Sequence, residues 1–197
     1  MTRRMVERDT GAQGGEWRVP TAPAPFHEPS VTPAPVRPRA VLLMGVSGSG
    51  KTTVGRAVAD AHGWAFEDAD AYHDPAALDK MARGHGLTDA DRAPWLARLR
   101  ALLDARLAHG PPTVLACSAL RRRYRAALGA DRDAVLTVWL DVPRAELARR
   151  LAARRGHVAG PDLLPSQLGT LEPPAGALRL DGTAEVGDLV RAVRDAL

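Results

Sequence analysis

The chain of 197 residues has few of the residues that mark several classes of protein. It has a single cysteine, Cys117, which excludes an intrachain disulfide and provides no metal-ligand spacing. No apolar run approaches the roughly 18 to 20 residues of a membrane span, and the N-terminal residues have no apolar core of a signal peptide. The sequence therefore predicts a protein of the reducing cytoplasm without a membrane partner.

Lysine is also scarce. Lys51 and Lys80 are the only lysines, so arginine carries nearly all the positive charge behind the formal net charge of +4. An anionic partner or a general bias towards arginine would each explain this balance, and the charge alone favours the bias. The cluster Arg121–Arg125 spans little more than one helical turn and has no aromatic stacking platform beside it. We expect no nucleic-acid partner, and we interpret the cluster as a solvated helix face with one or two arginines turned towards an anionic substrate.

Composition divides the chain into a tail and one domain. Residues 1 to about 38 are rich in proline and poor in bulky aliphatic side chains, so extended or disordered chain is expected there. From residue 39 to residue 197, short apolar runs alternate with helical patterns. This alternation predicts an α/β fold, with a parallel sheet of about five strands and helices on both faces.

The predicted strands are residues 40–45, 64–68, 113–118, 134–141 and 177–181. The predicted helices are residues 52–62, 89–109, 121–128, 144–155 and 185–197. One buried face of the longest helix is indicated by side chains at three- and four-residue steps: Trp95, Leu96, Leu99, Leu102, Leu103, Arg106 and Leu107.

Glycine is concentrated in the stretch GVSGSGKT, Gly45 to Thr52, which matches the pattern G-x-x-x-x-G-K-[ST] between an apolar strand and a helix. Phosphate oxygens need several inward-pointing backbone N–H groups, and glycine permits the backbone angles and close approach that this requires. Lys51 can reach the β- and γ-phosphates of a nucleotide, and the Thr52 hydroxyl can ligate Mg²⁺. A glycine-rich turn without a ligand is the alternative, but the strand and helix around the motif favour nucleotide binding.

Two aspartates, Asp68 and Asp70, follow the second predicted strand. Ligands of an α/β sheet bind beyond the carboxyl ends of its strands, and residues two apart at a strand end project to the same side. One carboxylate can help to hold Mg²⁺, and the other can accept a proton from an attacking hydroxyl. A pair of solvated loop carboxylates is the alternative. His73, just beyond them, would either contact a substrate or cap the next turn.

These motifs belong to a longer pattern that resembles the gluconokinase family, compact P-loop kinases of sugar acids. The blocks that carry the resemblance occur in order over residues 40–197: the phosphate loop with the aspartate pair, then KMARGHGLTDADRAPWLARL, ACSALRRRYRAAL, RLAARRGHV and LLPSQLGTLEPP. The resemblance implies ATP-dependent phosphorylation of D-gluconate at its 6-hydroxyl, giving 6-phosphogluconate. It leaves a monomer or a homodimer open.

The resemblance also assigns roles to matching residues. It implies a substrate-recognition insert at about residues 71–91 and a lid at about residues 154–165, with Arg150, Arg154, Arg155 and His157 closing over the phosphates. ATP would be bound by Gly45, Val46, Ser47, Gly48, Ser49, Gly50, Lys51, Thr52 and Thr53, and Mg²⁺ by Thr52 and Asp68. The catalytic residues would be Lys51, Asp70 and Arg154, and the substrate would be bound by Asp70, His73, Ser118, Arg121 and His157.

The sequence departs from the family pattern at several positions. Ala77 replaces an asparagine, Gly86 a proline and Pro165 an aspartate, and Val158–Ala159 stand where the family commonly has Phe-Met. All lie in the insert, the lid or the helix after it, so phosphoryl transfer is expected to be retained. The alternatives are a related kinase for another small hydroxy acid such as shikimate, and a nucleotide-binding protein that has lost catalysis.

Overall fold

The computed structural model describes residues 37–153 and 163–197, which contain a five-stranded parallel sheet. The strands are β1 (Ala40–Met44), β2 (Ala65–Asp68), β3 (Thr113–Ala116), β4 (Val135–Asp141) and β5 (Leu178–Asp181). The helices are α1 (Lys51–His62), α2 (Pro75–Ala82), α3 (Asp89–Ala108), α4 (Arg122–Leu128), α5 (Arg144–Ala153), α6 (Leu164–Thr170) and α7 (Val186–Asp195). A 3₁₀ turn, Ala69–Tyr72, follows β2.

The strand order is β2–β3–β1–β4–β5, with β1 at the centre. Ala40 pairs with Thr113 on one side and with Val135 on the other, and all five residues of β1 are fully buried. A strand buried on both faces reads as a continuous apolar run, which is why AVLLM is recognisable in the sequence. The predicted α/β fold with a parallel sheet is confirmed.

Each face of the sheet carries its own apolar core. On one face, Leu42 and Met44 pack with Leu99 of α3 and Leu128 of α4. On the other face, alternate residues of the same strands pack against α1 and α7: Val41, Leu43, Val58, Val138 and Val193. The two layers of helices therefore fix the sheet from both sides and leave the carboxyl ends of the strands to form loops.

Helix α3 begins with a capping box, in which the Thr88 and Asp91 side chains bond to each other's backbone N–H. The predicted buried face is confirmed for four of its members, Trp95, Leu96, Leu99 and Leu103. The other predicted members, Leu102, Arg106 and Leu107, are half-buried. Trp95 also donates its indole N–H to the Ala69 carbonyl at 2.7 Å, which ties α3 to the turn after β2.

Helix α2 lies outside the predicted set. The insert after His73 was assigned no helix from the sequence, but Pro75–Ala82 is helical, capped by the Asp74 carboxylate, which accepts the Ala77 N–H at 2.8 Å. Proline at the first helical position and aspartate before it favour a helix start, and this local signal outweighs the general composition of the segment. Helix α6 contains Pro165 and agrees with the helix that the family resemblance implies after the lid.

The other helix bounds differ from the predictions by one or two residues, apart from α5. That helix is described to Ala153, and the predicted extension to Arg155 lies outside the described residues. Along residues 37–153 and 163–197, no helix combines the length and apolarity that a membrane span needs.

Candidate active site

The loop Gly45–Thr52 leaves β1 at the carboxyl edge of the sheet and enters α1 at Lys51. Gly45 has a φ of 152°, and a Cβ there would lie 2.6 Å from the Ser49 Oγ and 2.9 Å from the Leu140 carbonyl oxygen. Gly50 caps α1 with a φ of 96°, in the left-handed region that favours glycine. The glycines therefore permit a tight loop whose backbone meets the N-terminus of a helix, a geometry suited to phosphate.

Thr52 and Asp68 meet beside this loop. The Thr52 hydroxyl donates to the Asp68 Oδ2 at 2.9 Å, and the Asp68 Oδ1 accepts the Asp70 N–H at 3.2 Å. Hydroxyl and carboxylate oxygens are ligands that Mg²⁺ prefers, so the donor set fits the predicted metal. Across residues 37–153 and 163–197, no group of three or more His, Cys, Asp and Glu side chains is placed to hold a metal ion.

Asp70 lies in the 3₁₀ turn rather than in β2, so the argument from strand alternation does not apply to it. The chain turns because Asp68 caps the 3₁₀ segment through the Asp70 N–H. Trp95 anchors the turn at the Ala69 carbonyl, and the Tyr72 hydroxyl donates to the Glu67 Oε2 at 2.6 Å. The Asp70 side chain is exposed on a turn that is held by its neighbours.

His73 ends this turn, and its backbone N–H donates to the Asp70 carbonyl. Its ring stacks on Trp95 with the centroids 4.5 Å apart, and it is half-buried. Burial lowers the pKa of His73, against the opposing effect of the Asp70 and Asp74 carboxylates. The described contacts therefore agree with the capping interpretation, and the substrate contact of His73 stays a prediction.

The loop after β3 carries Ser118 and Arg121, which are both half-buried. Between them, Ala119 has a φ of 43°, a left-handed conformation that is uncommon for a residue with a side chain. The buried Arg125 fixes this conformation, since its guanidinium donates to the Ala119 carbonyl at 2.9 Å and to the Leu120 carbonyl at 3.1 Å. The interpretation of Arg121–Arg125 as a solvated face is therefore wrong for Arg125, which is 8% exposed.

The ends of β1, β2 and β3 converge at this edge of the sheet. Leu43 and Asp68 both pair with Ala116, so the residues that follow each strand emerge side by side. The pKa of the Cys117 thiol is raised to about 12, mainly by burial, with the Asp70 and Asp68 carboxylates acting in the same direction and a backbone hydrogen bond at Ala119 and the Lys51 charge acting against it. The Asp68 carboxylate, which accepts the Thr52 hydroxyl of α1, therefore lies beside the end of β3.

We expect Cys117 to be unreactive in the folded protein. The thiolate is the reacting form, and a fully buried thiol whose pKa is about 12 has almost none of it near pH 8. A chromogenic disulfide reagent should detect no thiol in the native protein and one per chain in denaturant. Rapid stoichiometric reaction of the native protein would contradict this placement.

Two clefts flank the described part of the site. One, of about 390 Å³, lies against the phosphate loop and is lined in part by Gly50, Thr53, Arg150, Gly182 and Leu189. Arg150 donates to the Gly182 carbonyl at 3.0 Å and forms an ion pair with Glu146 at 2.6 Å, so α5 holds it beside the loop. The other predicted lid residues, Arg154, Arg155 and His157, lie outside the described residues.

The other cleft, of about 600 Å³, lies in the insert between α2 and α3. Two of its cations are already paired: Lys80 with Asp91 at 2.6 Å and Arg83 with Asp79 at 3.8 Å. Ala77, which stands where the family commonly has asparagine, lines this cleft and is nearly buried.

Three residues beside the site were missed by the sequence analysis: Arg92, Arg125 and Gln167. Arg92 donates to the Leu87 carbonyl, and its guanidinium lies 5.5 Å from the Tyr124 ring; that of Arg121, a predicted substrate-binding residue, lies 5.9 Å from the same ring. Neither arginine forms an ion pair among the described residues, although the charge of Arg121 helps to lower the pKa of Asp89. Arg92 and Arg125 could have been found from helical spacing, because each lies three or four residues from a buried apolar side chain. The third, Gln167, has no such signal.

Gln167 reaches the phosphate loop from α6. Its Oε1 accepts the Ser47 N–H at 2.7 Å, and its Nε2 donates to the Ser47 Oγ at 3.0 Å. Ser47 was predicted to bind ATP, but in this structure its N–H is bonded to the protein. The Lys51 Nζ donates to the Val46 carbonyl at 3.1 Å.

Comparison with known proteins identifies the family. A model of the AAA domain family matches residues 41–171. The gluconokinase of Gluconobacter oxydans is 49% identical to this chain over 139 residues, which cover 71% of this chain and 78% of that protein. The chain belongs to the gluconokinase family. The predicted family of compact P-loop kinases is therefore confirmed.

Solved structures of related kinases share the fold. A gluconokinase from Sinorhizobium meliloti is 41% identical, with a TM-score of 0.67, over 78% of this chain and 87% of that one. A sugar kinase from a Janibacter species is also 41% identical, with a TM-score of 0.75, over 80% of this chain and 93% of that one. The gluconokinase fold thus accounts for most of the residues described here.

Proposed function

We propose that this protein transfers the γ-phosphoryl group of ATP to the 6-hydroxyl of gluconate. The observation that carries the proposal is the meeting of three parts at one edge of the sheet: the phosphate loop with Lys51, the Thr52–Asp68 pair, and Asp70. Phosphoryl transfer needs a cradle for the triphosphate, oxygen ligands for a cation and a carboxylate near the acceptor hydroxyl. The family membership of the chain supports gluconate as the acceptor.

In this proposal the loop from Gly45 to Thr53 holds the triphosphate of ATP, with Lys51 at the β- and γ-phosphates. The cleft beside Arg150 and Gly182 adjoins the loop and has room for the nucleoside. Thr52 and Asp68 would hold Mg²⁺, which when bound neutralises charge on the phosphate oxygens.

The acceptor is placed between Asp70 and the loop after β3. Asp70 orients the 6-hydroxyl and takes its proton, and Ser118 is a hydrogen-bonding partner at the opposite loop.

A sugar acid also carries a carboxylate, which requires a cation. Arg92 and Arg121, which flank Tyr124 without a paired carboxylate among the described residues, provide two. Lys80 and Arg83 are already paired, so the insert cleft is the less favourable place.

A coupled assay tests this function directly. The purified protein with Mg-ATP is given gluconate, shikimate or buffer alone, and ADP release is followed with time. We expect release only with gluconate, and one 6-phosphogluconate formed per ADP. Faster turnover of shikimate would favour the related-kinase alternative, and ATP binding without transfer to either acid would favour a protein that has lost catalysis.

A further inference from the structure

The segment from Gln167 to Glu172 contacts two functional loops at once. At one end, the Gln167 side chain makes two hydrogen bonds with Ser47 of the phosphate loop. At the other end, the Glu172 backbone N–H donates to the Leu120 carbonyl at 2.9 Å, and its carboxylate accepts the Arg122 N–H at 2.6 Å. Leu120 and Arg122 flank Arg121 in the acceptor loop, so one short segment bonds to both substrate-binding loops.

Apolar packing also connects the segment to both loops. Leu164 is 4% exposed and lies in an apolar cluster with residues behind both loops: Val46, Leu120, Val142, Leu147 and Leu151. Leu168 and Leu171 pack against the same cluster from the segment itself. Packed side chains as well as hydrogen bonds therefore connect the phosphate loop at Val46 and Ser47 with this segment.

We infer that Gln167 is a positioning residue of the phosphate loop, and that the Gln167–Glu172 segment couples nucleotide binding to acceptor binding. Gln167 fixes the peptide that enters Ser47, so that the N–H groups that follow it are oriented for phosphate before the nucleotide arrives. Preorganisation of this kind strengthens binding because the loop loses less freedom when the ligand binds. The coupling of the two ligands depends on the proposed function, whereas the effect on nucleotide binding does not.

Gln167→Met tests the first part, because methionine keeps the length and volume of the side chain and removes both hydrogen bonds. Calorimetric titration with a non-hydrolysable Mg-ATP analogue should give a Kd about tenfold higher than that of the original protein, from two hydrogen bonds lost. Ser166→Ala, an exposed change in the same helix, should leave the Kd unchanged. An unchanged or lower Kd for Gln167→Met, at an unchanged melting temperature, would overturn the positioning role.

Glu172→Ala tests the second part. We expect the KM for gluconate to rise severalfold while the Kd for the analogue alone stays within about twofold, since the lost bond is to Arg122.

In the original protein gluconate should tighten analogue binding, and both variants should lose that effect. If the original protein turns over gluconate without such tightening, or the variants keep it, the coupling is refuted. If it does not turn over gluconate at all, the proposed function fails, and the analogue titration of Gln167→Met still decides the role of Gln167.

Discussion

Lys51→Ala is expected to reduce gluconate-dependent ADP release by about 10³-fold or more while leaving the fold intact. The ammonium group lies at the start of α1, where it faces the phosphate loop and contacts the Val46 carbonyl at 3.1 Å. It is the lysine of the phosphate-binding motif. With alanine in its place, the negative charge that develops on the transferred phosphoryl group would lose its neighbouring cation. The measurement is the initial rate in the coupled assay, with the melting temperature followed by circular dichroism.

A matched control is available on the same helix. Arg56 is exposed on α1, and its guanidinium lies 4.9 Å from the Phe66 ring, away from the phosphate loop. Arg56→Ala removes a positive charge of the same sign from the same helix and should leave turnover within about twofold. If Lys51→Ala kept more than a tenth of the activity, the phosphate loop would not have the catalytic part assigned to it.

Asp70→Asn is expected to lower kcat by about 10² to 10⁴-fold, with little change in nucleotide affinity. The amide has the same shape as the carboxylate but cannot accept the proton of the acceptor hydroxyl. The turn itself should survive, because Asp70 contributes to it through its backbone N–H, which bonds Asp68, and its carbonyl, which accepts from His73. Turnover and the Kd of the nucleotide analogue, measured on the same preparation, separate the two effects.

The control for this variant is Asp60→Asn, an exposed carboxylate on α1 outside the site, which should leave both quantities unchanged. Equal losses of kcat and nucleotide affinity in Asp70→Asn would mean that Asp70 stabilises bound nucleotide, and its role as the proton acceptor would be lost. An unchanged kcat would lead to the same conclusion.

Much of the fold was predictable because its signals are local. A strand buried on both faces must be apolar throughout, and a helix on a sheet must repeat its apolar residues every three or four positions, as β1 and α3 do. The signal of the phosphate loop is equally local, since its glycines and lysine all lie between Gly45 and Lys51. The turn at Asp70 was harder to predict. The Asp68 carboxylate caps a 3₁₀ turn there, so the strand ends and its side chains no longer alternate between the two faces of the sheet.

The missed features depend on contacts made outside their own helix: Gln167 with a distant loop, and Arg125 with the loop five and six residues before it. Gln167 meets Ser47 across 120 positions, and nothing in the residues around either one repeats in a way that marks the pair. Arg125 has the charge of a surface residue, yet two loop carbonyls satisfy its guanidinium inside the protein. Composition and periodicity describe a single element, whereas these contacts depend on how elements are brought together.

The central position of β1 has a consequence for the order in which the enzyme is built. During synthesis β1 emerges first, but its neighbours in the sheet, β3 and β4, follow much later, as the pairing of Ala40 with Thr113 and Val135 requires. Until both have left the ribosome, β1 is an apolar segment without partners, exposed to aggregation and to chaperones. The nucleotide cradle follows β1 directly in the sequence, but it therefore becomes functional only after β3 and β4 have also been translated.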